Sequence, residues 1–175
     1  MANKQALREL QSRLAERLQA ARTEVRGSSW LAVECGGHGF LLPLREAGEI
    51  FAPTTILPVP HSHGWFLGVA NLRGHLHGVV DLAGFLGVKT HPLPEGGREQ
   101  SRLVGFNPSL ELNCVLMVDR LSGLRSDDQL TTEPDKGAPP AAIAGARKRD
   151  ASGRIWQELN LSALAGDETF LRIVA

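Results

Sequence analysis

The side chains of this sequence that could do chemistry are concentrated between positions 61 and 81. Arg73 stands among apolar residues in the stretch NLRGHLHGVVDL. Two histidine pairs, His61 with His63 and His75 with His77, lie on either side of it. On a strand, residues two apart face the same way, so each pair could chelate one metal ion. The stretch therefore suggests two hypotheses: a metal site, or a protein-binding turn that presents an arginine.

The rest of the sequence adds little to the metal hypothesis. Asp81 is the only nearby carboxylate, and the chain has no H-E-x-x-H helix or cysteine cluster. It also lacks a Gly-x-Ser-x-Gly nucleophile elbow, and neither Cys35 nor Cys114 lies near a histidine that has an orienting group. We therefore predict no catalytic residue, no cofactor and no bound metal. A small metal-dependent enzyme that uses the histidine pairs is the alternative from another functional class.

Composition narrows the class of protein further. The chain has 175 residues, of which 42% are hydrophobic, enough for the core of one domain or of two small subdomains. Nineteen basic residues balance nineteen acidic ones, so the chain lacks the positive field that nucleic-acid binding needs. It contains no apolar run long enough to insert in a membrane and no apolar leader near its first residue. We expect a cytoplasmic protein whose two cysteines are buried thiols.

The pattern of apolar residues divides the chain into a helix and a β domain. Residues 1–26 predict an amphipathic helix, which could pack on its own domain or on a partner. Its apolar stripe consists of Leu7, Leu10, Leu14, Leu18, Ala21 and Val25. Residues 27–175 predict many short strands separated by turns, which is typical of small barrels. Within this domain we expect mobile loops at KTHPLPEGGREQ and TTEPDKGAPP. We also expect a buried Trp156, and an Asp81 that caps the segment after its strand.

One long motif resembles the signature of CheW-like domains. The motif is TTILPVPHSHGWFLGVANLRGHLHGVVDLAGFLG, in which a prolyl turn precedes G-V-x-N-L-R-G and V-V-D-L. The matching residues are Pro58, Pro60, Trp65, Gly68, Val69, Asn71, Leu72, Arg73, Gly74, Val79, Val80, Asp81, Leu82 and Gly87. The chain departs from the family pattern at Ala70, His75, His77 and Gly78. Because both histidines replace residues of a known strand, the metal hypothesis becomes weaker. The tail WQELNLSALAGDETFLRI is similar to that of the PilI branch of the family.

The resemblance implies both a fold and a function. The fold is mainly β: two small SH3-like five-stranded β-barrels that share a core, with the N-terminal amphipathic helix added. The function is that of a non-catalytic adaptor. It would couple the cytoplasmic tip of a chemoreceptor to the CheW-like regulatory domain of a CheA-type histidine kinase in type IV pilus twitching motility. The alternative within the class is the coupling protein of a flagellar chemotaxis system.

The resemblance also indicates a partner-binding surface. Its predicted residues are Glu49, Ile56, Asn71, Leu72, Arg73 and Gly74. An arginine is always charged and its forked donors suit a protein interface, while Gly74 lets the backbone turn or a partner approach closely. The simpler interpretation is that Arg73 pairs with Glu49 and only orients a strand. Both roles are compatible with the sequence.

Overall fold

The computed structural model of this protein describes residues 28–88, 100–134 and 142–175. Within these ranges the chain forms short strands joined by tight turns, with a few brief helices, so the predicted mainly β class is confirmed. The strands are β1 (Ser29–Cys35), β2 (His38–Pro43), β3 (Ala47–Phe51), β4 (Phe66–Leu72), β5 (His75–Asp81), β6 (Arg102–Phe106), β7 (Cys114–Val118), β8 (Arg120–Ser126), β9 (Leu130–Thr132), β10 (Ala144–Asp150) and β11 (Ile155–Leu159). The α-helices are α1 (Leu82–Phe85), α2 (Leu161–Ala165) and α3 (Glu168–Leu171).

The strands are arranged in two sheets. The first has the order β8-β1-β2-β11-β10-β9, and the second has the order β3-β6-β7-β5-β4. Neighbours are antiparallel except for two parallel pairs, β2 with β11 and β5 with β7. The second sheet has the predicted five strands, whereas the first has six. The additional strand is β9, in which only Leu130 is buried, so it has no alternating pattern that the sequence could reveal.

The second sheet curls until its two edges are close. Strands β3 and β4 lie at opposite ends of the hydrogen-bonding order, yet the chain that leaves β3 returns to pair with β4. Leu57 and Val69 exchange two backbone hydrogen bonds, of 2.8 and 2.9 Å. Gly68 makes this approach possible: its φ is +133°, and a Cβ there would lie 2.1 Å from the Leu57 carbonyl oxygen. The pairing brings the ends of the sheet together, as in a small barrel.

A shared core lies between the two sheets, and each sheet also has a smaller core of its own. The shared core joins Leu31 and Leu42 of the first sheet to Val80 and Leu116 of the second, with Phe170 of α3 packed against them. The smaller core of the first sheet consists of Trp30, Ala32, Leu41, Leu130 and Trp156. The buried residues of the smaller core of the second sheet are Ala70, Leu72, Val79, Leu103 and Val115. This arrangement agrees with two barrel-like units that share a core.

Trp156 is the largest fully buried side chain among the described residues, with 1% of its surface exposed. Its predicted burial is therefore confirmed. Its Nε1 donates a 2.8 Å hydrogen bond to Asp150, and the Arg154 guanidinium lies 4.6 Å from its ring centre. The ring fills the space beside β2, where a Cβ at Gly39 would lie 2.6 Å from a ring atom. The tryptophan thus packs the parallel pair that joins β11 to β2.

Two of the sequence predictions concern residues that the structure does not describe, and a third prediction is wrong. The helix of residues 1–26 lies outside the described residues, as do most of the loops KTHPLPEGGREQ and TTEPDKGAPP. Asp81 stands at the N-cap position of α1, but its side chain makes no capping hydrogen bond. Asp81 is still the last residue of β5, where its amide donates a hydrogen bond to the Trp65 carbonyl oxygen. Over the described ranges, no helix has both the length and the apolar composition needed to cross a membrane.

Candidate protein-binding surface

The predicted surface is centred on the tight turn between β4 and β5. Leu72 is paired directly with His75, so the connection consists of Arg73 and Gly74 alone. Their φ angles are +51° and +86°, and positive values at both positions are what a type I′ hairpin turn requires. This turn type matches the twist of the two strands, and it usually has Asn-Gly rather than Arg-Gly. The turn therefore places an arginine where asparagine or glycine is preferred.

The neighbours of Arg73 in the sequence hold this turn in place. The Asn71 side-chain oxygen accepts a 2.9 Å hydrogen bond from the Gly74 amide. A Cβ at Gly74 would meet no atom within 4 Å, so glycine is needed there for its backbone conformation and not for space. Asn71 and Gly74 were both predicted to bind a partner. The structure gives each of them a role in forming the turn, and both are exposed to solvent.

Arg73 and Glu49 are brought together from opposite edges of the second sheet. The Arg73 Nη2 atom lies 2.5 Å from the Glu49 Oε1 atom, so the predicted pair is present. The two side chains are 74% and 43% exposed, and ion pairs in such surroundings contribute about 0–1 kcal/mol. The left-handed conformation of Arg73 costs about 1–2 kcal/mol. The pair therefore offsets no more than the cost of the turn, and stability alone does not explain the arginine.

The remaining predicted residues face the inside of the protein. Leu72 is buried in the smaller core of the second sheet, where it packs against other apolar side chains and offers no surface to a partner. Ile56 is half-buried and packs against the same core. Of the six predicted residues, Glu49, Asn71, Arg73 and Gly74 are therefore exposed, while Leu72 is not. The alternation of a strand explains the difference, because Asn71 and Leu72 point to opposite faces.

Two exposed apolar residues beside the turn were not predicted. Leu76 is the cross-strand partner of Asn71 and is 62% exposed. Ile50 follows Glu49 on β3 and is 41% exposed. Large apolar side chains with this exposure, next to an exposed charged pair, are typical of a protein-binding surface. Neither residue was predicted, because their exposure depends on how the second sheet curls. We call Glu49, Ile50, Asn71, Arg73, Gly74 and Leu76 the turn surface.

The two histidine pairs do not meet. The segment that holds His61 and His63 pairs with the C-terminal residues: His63 N donates to Ile173 O, and Ala175 N donates to His61 O. The His63 ring is stacked on Trp65, with 5.4 Å between ring centres. His75 and His77 belong to β5, which pairs with β4 and β7 instead.

The described residues contain no group of three or more His, Cys, Asp or Glu side chains that could hold a metal ion. The pKa values of three acidic groups depart from their ordinary values because of their surroundings. Both cysteines are buried as predicted, and burial raises the pKa of each thiol. Burial alone would raise the pKa of Glu34, but hydrogen bonds from Arg154, Ser122 and Arg120 outweigh it and lower the pKa to about 2. Glu34 therefore serves as a fixed anion that joins strands.

Comparisons with known proteins agree with this fold. The family model described as the CheW-like domain matches residues 29–169. Protein PilI of Pseudomonas aeruginosa is 34% identical over 113 residues, which are 65% of this chain and 61% of that protein. A probable chemotaxis protein CheW of Rhizobium etli is 37% identical over 59 residues, 34% of this chain and 38% of that protein. The matched regions thus span less than two thirds of these relatives.

A solved structure has the same fold. The scaffolding protein TtCheW of Thermoanaerobacter tengcongensis superposes with a TM-score of 0.59 at 14% identity. The superposition covers 77% of this chain and 89% of that one. At this identity the likeness concerns the fold alone, whereas the family model matches most of the chain, including the turn surface. The chain belongs to the CheW-like domain family.

Proposed function

We propose that this protein is a non-catalytic cytoplasmic adaptor that couples a chemoreceptor to a CheA-type histidine kinase. Its mechanism is scaffolding: one surface binds the helical cytoplasmic tip of the receptor, and another binds the CheW-like regulatory domain of the kinase. The observation that carries the proposal is the turn surface. It combines an exposed arginine, a two-residue turn and exposed apolar side chains.

The turn surface suits the receptor in shape and chemistry. A helical receptor tip offers ridges of apolar and charged side chains, and Leu76 and Arg73 present one of each kind at the same end of a hairpin. Arginine has a further advantage because its planar fork binds with a fixed geometry. Glu49 keeps the guanidinium in place while it remains accessible to solvent.

The kinase would bind elsewhere, at the edge of a sheet. Strand β8 is at one end of the first sheet and is seven residues long, with Leu124 exposed. A free edge strand with an exposed apolar side chain can accept contacts from another barrel. Separate surfaces allow one adaptor to hold receptor and kinase at the same time, which is what scaffolding requires.

The pathway that we favour is the chemosensory system of type IV pili. The identity to Protein PilI extends over a longer part of the chain than the identity to the CheW proteins, and the tail resembles the PilI branch. Flagellar chemotaxis is the alternative. Affinity purification of the chain from its own cells, followed by identification of the bound kinase, separates the two pathways.

The test of the proposed function is the charge reversal Arg73→Glu. An unpaired charge at an interface costs on the order of 2–5 kcal/mol, so receptor binding should fall at least tenfold while melting and kinase binding are preserved. Thermal stability and both affinities should be measured on one preparation. Early melting with parallel loss of both partners would instead mean that Arg73 only holds the barrel. Elemental analysis of the same preparation tests the metalloenzyme alternative, which would be supported by about one bound metal ion per chain.

A further inference from the structure

We propose that the N-terminal apolar stripe of this chain docks on the edge of its own first sheet, over Leu44 and Leu124. The stripe occupies residues 7–25, for which the sequence predicts an amphipathic helix. The docking is a property of the free protein and can be tested without a partner. Only its consequence for kinase binding rests on the proposed function, which assigns this edge to the kinase.

Two exposed apolar side chains lie on either side of the start of β1. Leu124 of β8 is the cross-strand partner of Leu31, and it is 62% exposed although Leu31 is buried in the shared core. Leu44 follows β2 and is 38% exposed, and its amide donates a 3.0 Å hydrogen bond to the Ser29 carbonyl oxygen. In the part of the chain that the structure describes, no strand lies beyond β8. Apolar surface therefore remains on both sides of the strand that the N-terminal segment enters.

The short connection to β1 limits where the stripe can lie. The described chain begins at Ser28, and Val25, the last residue of the stripe, is three residues before it. Three residues span at most about 11 Å. Leu124 is diagonally opposite Ser29, about 8 Å away by the spacing of paired strands. The end of the stripe is thus held near both leucines, and so short a tether gives it an effective concentration on the order of millimolar.

Of the three segments outside the described residues, the first is the one whose composition suits this surface. Residues 89–99 contain one large apolar side chain, Leu93, and residues 135–141 contain none. The large apolar residues of the first segment are Met1, Leu7, Leu10, Leu14, Leu18 and Val25. An apolar stripe of this length needs apolar contacts along one face, and the exposed leucines provide them at the point where the tether holds it.

Charge also favours docking at this edge. Residues 1–27 carry six basic and three acidic side chains, whereas the whole chain has nineteen of each, so the rest of the chain has a net negative charge. Asp127 and Asp128 are exposed and come directly after β8, whose last residue, Ser126, is paired with Ser29. The basic segment therefore joins the domain beside two carboxylates, which attract it.

Docking at this edge would make the stripe a competitor of the kinase. The proposed function places the kinase on β8, and two groups cannot cover Leu124 at the same time. The kinase would then bind only the fraction of molecules from which the stripe has dissociated, and its apparent Kd would rise in inverse proportion to that fraction. The edge would be protected in the free protein and opened for the kinase.

Thiol labelling of the full-length chain tests the docking. Leu124→Cys and Leu76→Cys each introduce a thiol at a position that is 62% exposed, one in each sheet, while the native Cys35 and Cys114 are buried. If the stripe covers the edge, the Leu124→Cys thiol should react with a maleimide more slowly than the Leu76→Cys thiol, by a factor of about ten or more. Equal rates would overturn the docking.

A matched pair of variants identifies the group that covers the edge. Leu14→Asp with Leu18→Asp disrupts the stripe and should bring the Leu124→Cys rate up to that of Leu76→Cys. Ser12→Asp with Thr23→Asp adds the same charge on the other side of the helix, because residues two apart do not share a face, and should leave the protection intact. Protection that survives disruption of the stripe, or that disappears on dilution because a second copy provides it, would overturn the proposal.

Titration of the same variants with the purified CheA-type kinase tests the competition. Leu14→Asp with Leu18→Asp should lower the Kd by about the factor of the labelling protection, and the control pair should not change it. An unchanged Kd beside confirmed protection would overturn the competition and the assignment of β8 to the kinase, while the docking would stand. If no variant binds the kinase, the proposed function fails, and the labelling result is unaffected.

Discussion

Two hairpin turns of this protein have the same length and the same positive backbone angles but different residues. Gly36 and Gly37 join β1 to β2, with φ of +55° and +81°, while Arg73 and Gly74 join β4 to β5. The glycine turn packs against the chain at its first residue: a Cβ at Gly36 would lie 2.4 Å from the Val88 carbonyl oxygen. At this position glycine fits both the backbone conformation and the space.

The arginine turn faces solvent, and no packing constraint explains its first residue. The Gly36 amide donates a 2.7 Å hydrogen bond to Asp119 of the same chain, so the first turn is part of the internal structure. The second turn uses its own Asn71 to bind its Gly74 amide, and it extends a guanidinium outward. Equal backbone geometry thus contributes to internal packing in one sheet and presents a guanidinium to solvent in the other.

The largest expected effect comes from the core of the sheet that carries the glycine turn. Trp156→Ala should destabilise the protein by about 3–5 kcal/mol, because a fully buried ring leaves a cavity. Urea unfolding measures the loss. A mutant with unchanged unfolding would mean that the first sheet is not the structural half of the molecule, and the contrast between the turns would lose its basis.

The next effect tests the packed turn directly. Gly36→Ala should cost about 2–5 kcal/mol, the sum of a left-handed alanine and of overpacking against Val88. Receptor affinity per folded molecule should not change. A lower unfolding midpoint with preserved binding would support a purely structural role for the glycine turn. A proportional loss of receptor binding would contradict that role.

A smaller effect isolates the backbone conformation from packing. Gly37 and Gly74 both have positive φ, and a Cβ at either would meet no atom within 4 Å. Gly37→Ala and Gly74→Ala should therefore cost nearly the same, about 1–2 kcal/mol each, in urea unfolding. Only Gly74→Ala should also weaken receptor binding. Equal binding by the two variants would contradict the recognition role of the second turn.

The last prediction concerns the pH dependence of Glu34, which precedes the glycine turn. In the folded protein the pKa of Glu34 is lowered from an ordinary value of 4.5 to about 2. The ionised carboxylate therefore stabilises the fold fully above the unfolded pKa, and this contribution is lost as the pH falls from about 4.5 to about 2. Glu34→Gln should therefore show less acid destabilisation than the unchanged chain. The urea midpoint of each protein is measured at pH 7 and at pH 3. An equal fall in midpoint for both proteins would show that other carboxylates dominate the acid destabilisation.

The sequence predicts the parts of this fold that depend on local patterns. Short strands separated by turns and the CheW-like motif indicate the β class, and the burial of Trp156 was also predicted. Strand β9 was missed because its only buried residue, Leu130, gives no periodic signal. Asp81 was assigned a capping bond from its position alone, but its side chain does not make that bond, whereas Asp167 caps the equally short α3.

The sequence predicted the charged pair at the turn of the candidate site, but it did not predict the exposed apolar residues. The motif identifies Arg73, and its pairing with Glu49 was one of two roles considered. Leu72 was included although strand alternation turns it inward. Ile50 and Leu76 were missed because their exposure depends on how the second sheet curls. The left-handed conformation of Arg73 was also hidden, since only strand register shows that the turn has two residues.

The parallel pairing of β2 with β11 has a consequence for protein synthesis. A contact of the first sheet, between Trp30 and Glu158, joins residues 128 positions apart in the chain. On the ribosome, the hairpin of β1 and β2 therefore emerges long before β11 can cover its open side. During that interval the nascent chain exposes an edge strand with apolar side chains, the form most prone to aggregation. The first sheet is therefore complete only when nearly the whole domain has been translated.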